Sequence, residues 1–164
     1  MFFLKLSSLF VFLALVVYFA PDLLNSTISN AQPVHINIAD SSTEINHAKY
    51  IAVKNFKIPV YLADTEEKRT KGLGGLPSIP NHYGMFFVFD NSDYLSIWMK
   101  DVFFPIDIVW IDENLSIVHI KKDISPHTFP SIFTAPVKAR YVLEMNAGMS
   151  EFYHLKTGEK IIFE

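Results

Sequence analysis

Ile106-Asp-Ile-Val-Trp-Ile111, Asp112-Glu-Asn114 and Leu115-Ser-Ile-Val-His-Ile-Lys-Lys-Asp-Ile124 form the stretch on which the reading of the fold turns. The first run is rich in β-branched and aromatic residues, which favour a pleated, half-buried strand. The last run alternates. Leu115, Ile117 and His119 fall on one face, and Ser116, Val118 and Ile120 on the other, the two-residue period of a strand. Between them Asp112-Glu-Asn114 reads as a short hairpin loop, with Asn114 as the residue able to adopt a left-handed conformation. The chain is therefore built on strand, turn and strand.

Working outward, further short β-rich runs occupy 50–54, 58–62, 84–89, 94–100, 139–145 and 160–163. Several short strands at this spacing predict a coiled or barrel-like antiparallel sheet. Two short helices are expected beside it. Asp64-Thr-Glu-Glu67 offers a capping box, Lys68, Arg69 and Lys71 suit the far end of the helix dipole, and Gly72 stops the helix. A second helix follows Asn146, through Glu151 to Leu155. The fold class is α+β, mainly β. Ser125–Val137, with Pro126, Pro130 and Pro136, is longer and more apolar than a connector needs and reads as a lid over one end of the sheet, or as the wall of a ligand site.

The first 31 residues differ from the rest. Lys5 precedes an uncharged apolar run, Leu6–Ala20, the pattern of an export signal, and Ser29-Asn-Ala31 offers a cut that leaves Gln32 first. Phe2–Leu24 is also long enough to remain as a membrane anchor. Residues 1–31 are thus a signal peptide or N-terminal anchor, 32–49 a flexible stem rich in Asn, Ser and Thr, and 50–164 one β-rich domain. Either fate of the leader predicts an extracytoplasmic (periplasmic or secreted) body that touches the membrane only through its N-terminal segment.

The whole chain of 164 residues carries 14 Lys+Arg against 17 Asp+Glu. Removing Lys5 and Asp22 leaves 13 against 16, so the exported part keeps the net charge of −3. Nucleic acid is not expected as a partner, because its binders carry a basic surplus. The absence of cysteine excludes disulfides, thiolate metal sites and cysteine nucleophiles. Six histidines lie scattered at 35, 47, 82, 119, 127 and 154, with no close pair at metal-ligand spacing, and Met85, Met99, Met145 and Met149 read as fillers of apolar gaps. Neither metal nor cofactor is expected. Gly72-Leu-Gly-Gly75 does not suit a phosphate cradle, because it follows a helix instead of opening one.

In order and spacing, Val60-Tyr-Leu-Ala-Asp64, Gly72-Leu-Gly-Gly75, Gly84-Met-Phe-Phe-Val-Phe89, Trp98-Met-Lys-Asp101, Pro105–Asp112, Tyr141-Val-Leu-Glu144 with Asn146-Ala-Gly148, and Gly158 form a familiar series. Together they resemble the domain-of-unknown-function family numbered 192, an uncharacterised protein family, from about Tyr50 to Phe163. The resemblance implies a compact β-rich domain, commonly exported in prokaryotes, and no established reaction. Asp101 stands where that family usually shows Asn, and Trp110 where Phe is common.

Two functions from different classes follow. In the first, the domain is a small-ligand-binding or envelope accessory module. Its ligand-binding candidates are Trp98, Met99, Lys100, Asp101 and Asp107, with Trp98 as a stacking surface and Lys100 as the charge for an anionic or polar ligand. The strand ending at Asp101 and the strand beginning at Pro105 should be neighbours in a hairpin. Asp107, set among apolar residues, then needs a partner. Met99 would lie opposite it in regular pairing, a one-residue bulge would bring Lys100 across, and the backbone N–H groups of the 101–105 turn are the third option. In the second, the domain is an extracytoplasmic hydrolase that pairs two carboxylates drawn from Asp64, Asp101, Asp107 and Glu144.

Overall fold

The computed structural model describes residues 49–164; the leader of residues 1–31 and nearly all of the stem lie outside the described residues. Nine strands and two helices follow in order: β1 (Lys49–Val53), β2 (Phe56–Ala63), α1 (Glu66–Lys71), β3 (Gly84–Asp93), β4 (Ser96–Trp98), β5 (Ile106–Ile111), β6 (Ile117–Ile124), β7 (Ile132–Thr134), β8 (Ala139–Asn146), α2 (Met149–Phe152) and β9 (Ile162–Phe163). Seven strands form one curled sheet in the order β6-β5-β8-β3-β2-β1-β9, and β4 and β7 form a separate ribbon. The result is a mainly β half-barrel with two short helices, as expected, except that the sheet is mixed. β2 and β3 run parallel, from Val60 opposite Gly84 to Ala63 opposite Phe87. A parallel pair needs a crossover of a dozen or more residues, and residues 64–83, with α1, supply it. Register shifts in β3 and β5 bend the sheet.

All six residues of β5 are buried, because both faces of the sheet are covered. Ile106, Ile108 and Trp110 share one core with Phe87, Val142 and a cover that includes Leu73, Ile97 and Met99. Val109 and Ile111 face the other, with Val60, Phe86, Leu143, Met145 and Tyr153.

The ribbon belongs to the first face. Trp98 lies opposite Ile132 and Ser96 opposite Thr134, and the indole Nε1 of Trp110 donates to the Leu95 carbonyl at 3.0 Å just before β4. Ser125–Val137 therefore does more than cover the sheet. It contributes β7 and places Ala135 in the core.

Three local expectations change. β4 does not form a hairpin with β5, which pairs with β6 and β8 instead, since a strand already flanked on both edges has no free ladder left. In the β5–β6 turn, Leu115 and not Asn114 has a positive φ, of 60°, while the Asp112 carboxylate accepts from the Asn114 and Ser116 N–H groups. At α1 the cap is Thr65, whose Oγ1 accepts from the Lys68 N–H at 3.3 Å; Asp64 instead pairs with Lys68 Nζ at 2.9 Å.

Candidate functional site

Between α1 and β4, over the β3–β8 face of the sheet, lies a cleft of ≈ 260 Å³. Leu73, Phe87, Phe89, Ile97 and Val102 form its apolar walls, and its polar lining includes Glu66, Arg69, Lys71, Lys100 and Glu144, with Trp98 at the rim. The local sequence explains how the two sides meet. α1 presents its basic end there, and Gly72, at φ 50°, turns the chain away from the helix. A Cβ on Gly74 would lie 2.8 Å from the Lys71 carbonyl and 3.3 Å from that of Lys100, so only glycine lets these backbones close. The Gly75 N–H then donates to the Asp101 carbonyl at 2.8 Å. The glycine run thus serves close packing of the helix end against the turn that carries Lys100.

Glu144 forms part of the floor. It is 4% exposed, and burial alone pushes its pKa up to about 8, so the carboxyl holds its proton at neutral pH. No described residue bonds that carboxyl, while every fully buried side-chain N or O among the described residues has a hydrogen-bond partner; the carboxyl therefore opens to the cleft. Arg69 is held rigidly. Its Nη1 donates to the carbonyls of Asp64 at 3.0 Å and Val88 at 2.8 Å, and its guanidinium lies 5.2 Å over the Phe89 ring. No carboxylate pairs with it among the described residues, and none pairs with the exposed Lys100.

Of the residues singled out from the sequence, Trp98 and Lys100 line this cleft. Met99, between them, turns inward and is 1% exposed, a core residue. Asp101 is exposed at φ 57° and shapes the turn. Asp107 lies on the other face. It sits opposite Met145 while Ile108 sits opposite Glu144, and successive strand residues point to opposite sides. Its partners are not Lys100 or the 101–105 turn. Oδ1 accepts from the Asp123 N–H at 2.9 Å, and Oδ2 accepts from the Ser150 N–H at 2.9 Å and Ser150 Oγ at 2.6 Å. That carboxylate ties α2 to the sheet and joins β5 to β6 at the register shift between Ile106 and Ile108.

The four carboxylates considered for hydrolysis do not share the cleft. Asp64 pairs with Lys68, which holds its pKa below the ordinary value, Asp107 is buried on the far side, and only Glu144 lines the cleft. Sequence reasoning passed over Arg69 and Glu66, which read there only as helix-end charges. Nothing local marks them as cleft residues, because the cleft exists only once β4 is laid beside α1.

The family DUF192, "Uncharacterized ACR", matches residues 49–163. Among solved structures, the chain is similar to a "putative transcription regulator" from Sinorhizobium meliloti 1021, with 25% identity and a TM-score of 0.67 over 73% of this chain and 97% of that one. It is also similar in fold to a protein of unknown function from Novosphingobium aromaticivorans DSM 12444, with 22% identity and a TM-score of 0.63 over 70% of this chain and 83% of that one. No curated protein matches the chain.

Proposed function

Because the chain belongs to the DUF192 family, whose name assigns it no reaction, we propose its function from the cleft: the domain is a small-ligand-binding module of the cell envelope. The observation that carries this reading is Glu144, a buried carboxyl with no hydrogen-bond partner among the described residues and open to a cleft. A carboxyl that faces a cleft with its hydrogen-bonding capacity uncommitted to the fold is available to a ligand. Trp98, 46% exposed at the rim, supplies the stacking surface that a bound ring would cover. Of Asp64, Asp101, Asp107 and Glu144 only Glu144 lines the cleft, which favours binding over hydrolysis by a carboxylate pair drawn from those four. The placement outside the cytoplasm rests on Lys5 and the apolar run after it. The likeness to a protein described as a transcription regulator raises DNA as a partner. The body's 13 Lys+Arg against 16 Asp+Glu favour a small ligand instead.

A thermal-shift screen of the full-length chain against a library of small metabolites tests the reading. At least one compound should raise Tm, since a ligand at 100 times its Kd stabilises by about 2.7 kcal/mol. Trp98→Ala should lose that shift while its unliganded Tm stays the same. A compound that shifts wild type and Trp98→Ala equally binds elsewhere, and a library without a single shift overturns the module.

A further inference from the structure

The charges of this cleft are lopsided once protonation is considered. Arg69, Lys71 and Lys100 line it against Glu66 and Glu144. Burial pushes the Glu144 pKa up to about 8, so most of its carboxyl is protonated near pH 7. Its neighbours across the sheet, Met85 on β3 and Ile108 on β5, are apolar. Even without Lys71, Arg69 and Lys100 outnumber Glu66, so the lining carries a surplus of positive charge at neutral pH. Two of its cations, Arg69 and Lys100, have no carboxylate partner among the described residues. Arg69 is also pre-positioned by its two carbonyl contacts and by Phe89, which lowers the entropy lost on binding an oxyanion. The size limits the ligand. At ≈ 260 Å³ the cleft is smaller than the ~300–1,000 Å³ that drug-sized ligands occupy.

We propose that the cleft selects a small carboxylate with a single ring. Arg69 and Lys100 take the carboxylate, Trp98 covers the ring, and Glu144 donates a hydrogen bond to the ligand from the floor. The inference rests on the binding reading above and adds the ligand's charge and size. Two chemistries share this description, a sugar acid and an aromatic acid. They differ in the hydroxyl groups available to Glu144.

Titrations of the full-length chain, followed by ligand-observed NMR, separate the alternatives. The probes are glucuronate and benzoate, their neutral counterparts glucose and benzyl alcohol, and inorganic phosphate. At pH 6.5 at least one carboxylate should bind ten-fold or more tightly than its neutral counterpart and than phosphate, and Lys100→Glu should abolish that preference. Tighter binding of glucuronate identifies the sugar acid, and tighter binding of benzoate the aromatic acid. Between pH 6.5 and pH 9 the wild type should bind about ten-fold more weakly, as Glu144 loses its proton around pH 8. Glu144→Gln keeps a donor that does not titrate and should bind equally at both pH values. Equal binding of the neutral counterparts, with loss in Trp98→Ala, leaves the binding module standing and overturns the choice of an anion. Phosphate bound as tightly as the carboxylates, a preference that survives Lys100→Glu, or no binding by any probe also overturns it.

Discussion

Asp101 shows how a residue can belong to a motif for backbone reasons. At φ 57° it occupies the left-handed region, where Asn and Asp are the non-glycine residues that fit most readily. This accounts for an Asp or an Asn at the position without any role for the charge. Asp101→Asn should leave the urea midpoint unchanged, and Asp101→Val should lower stability by about 1–2 kcal/mol. Asp107 looked like a site residue because a carboxylate among Ile and Val needs partners; the partners are structural. Asp107→Ala leaves the N–H groups of Asp123 and Ser150 without acceptors, at about 1–3 kcal/mol for each buried unpaired group, and denaturant unfolding should record a loss of at least 2 kcal/mol. Trp110 also has a polar duty. Trp110→Phe strands the Leu95 carbonyl and should cost about 1–3 kcal/mol. Amide exchange in β4 should rise at the same time.

At the level of elements, the strand runs were legible because period and β-branching are local properties. Partner choice was not. β4 has three residues and pairs with β7, which comes from a stretch whose prolines suggested a loop. Hydrogen bonds across 38 residues, such as Ser96 Oγ with Thr134 Oγ1 at 2.8 Å, leave no trace in either local pattern. The α1 start was legible as a helix start and misplaced by one residue. Asp64, Thr65 and Asn-like caps compete on similar terms, and here the longer reach of Lys68 draws Asp64 away. Thr65→Ala should therefore cost about 0.5–2 kcal/mol, while Asp64→Asn loses only an exposed ion pair, at most about 1 kcal/mol. Thermal unfolding of the two variants in parallel checks the order.

For the whole molecule, Glu144 sets the pH dependence. Its folded pKa, about 8, exceeds its ordinary value of 4.5, so between those pH values the folded chain holds a proton that the unfolded chain has released. Stability from this group falls as pH rises through that window, by about 1.4 kcal/mol per pH unit, and levels off above it. Chemical denaturation at pH 5, 6.5 and 8 should show the decline, and Glu144→Gln should flatten it. A wild type equally stable at all three pH values contradicts the burial assigned to Glu144. At the other end of the chain, mass spectrometry of the mature protein should find either Gln32 first or Met1 in a membrane fraction; Met1 on a soluble cytoplasmic form excludes both fates of the leader. The sequence by itself determined the class of this protein. Alternation, β-branched runs and turn residues specify a mainly β domain, because each acts over a few residues. Only the tertiary structure decided which face each side chain occupies and what covers it. Asp107 and Glu144, both carboxylates in apolar strands, were indistinguishable until the register of β5 against β8 sent them to opposite sides. One was met there by Ser150 and the other was left open to a cleft, an outcome set by contacts between residues far apart in the chain.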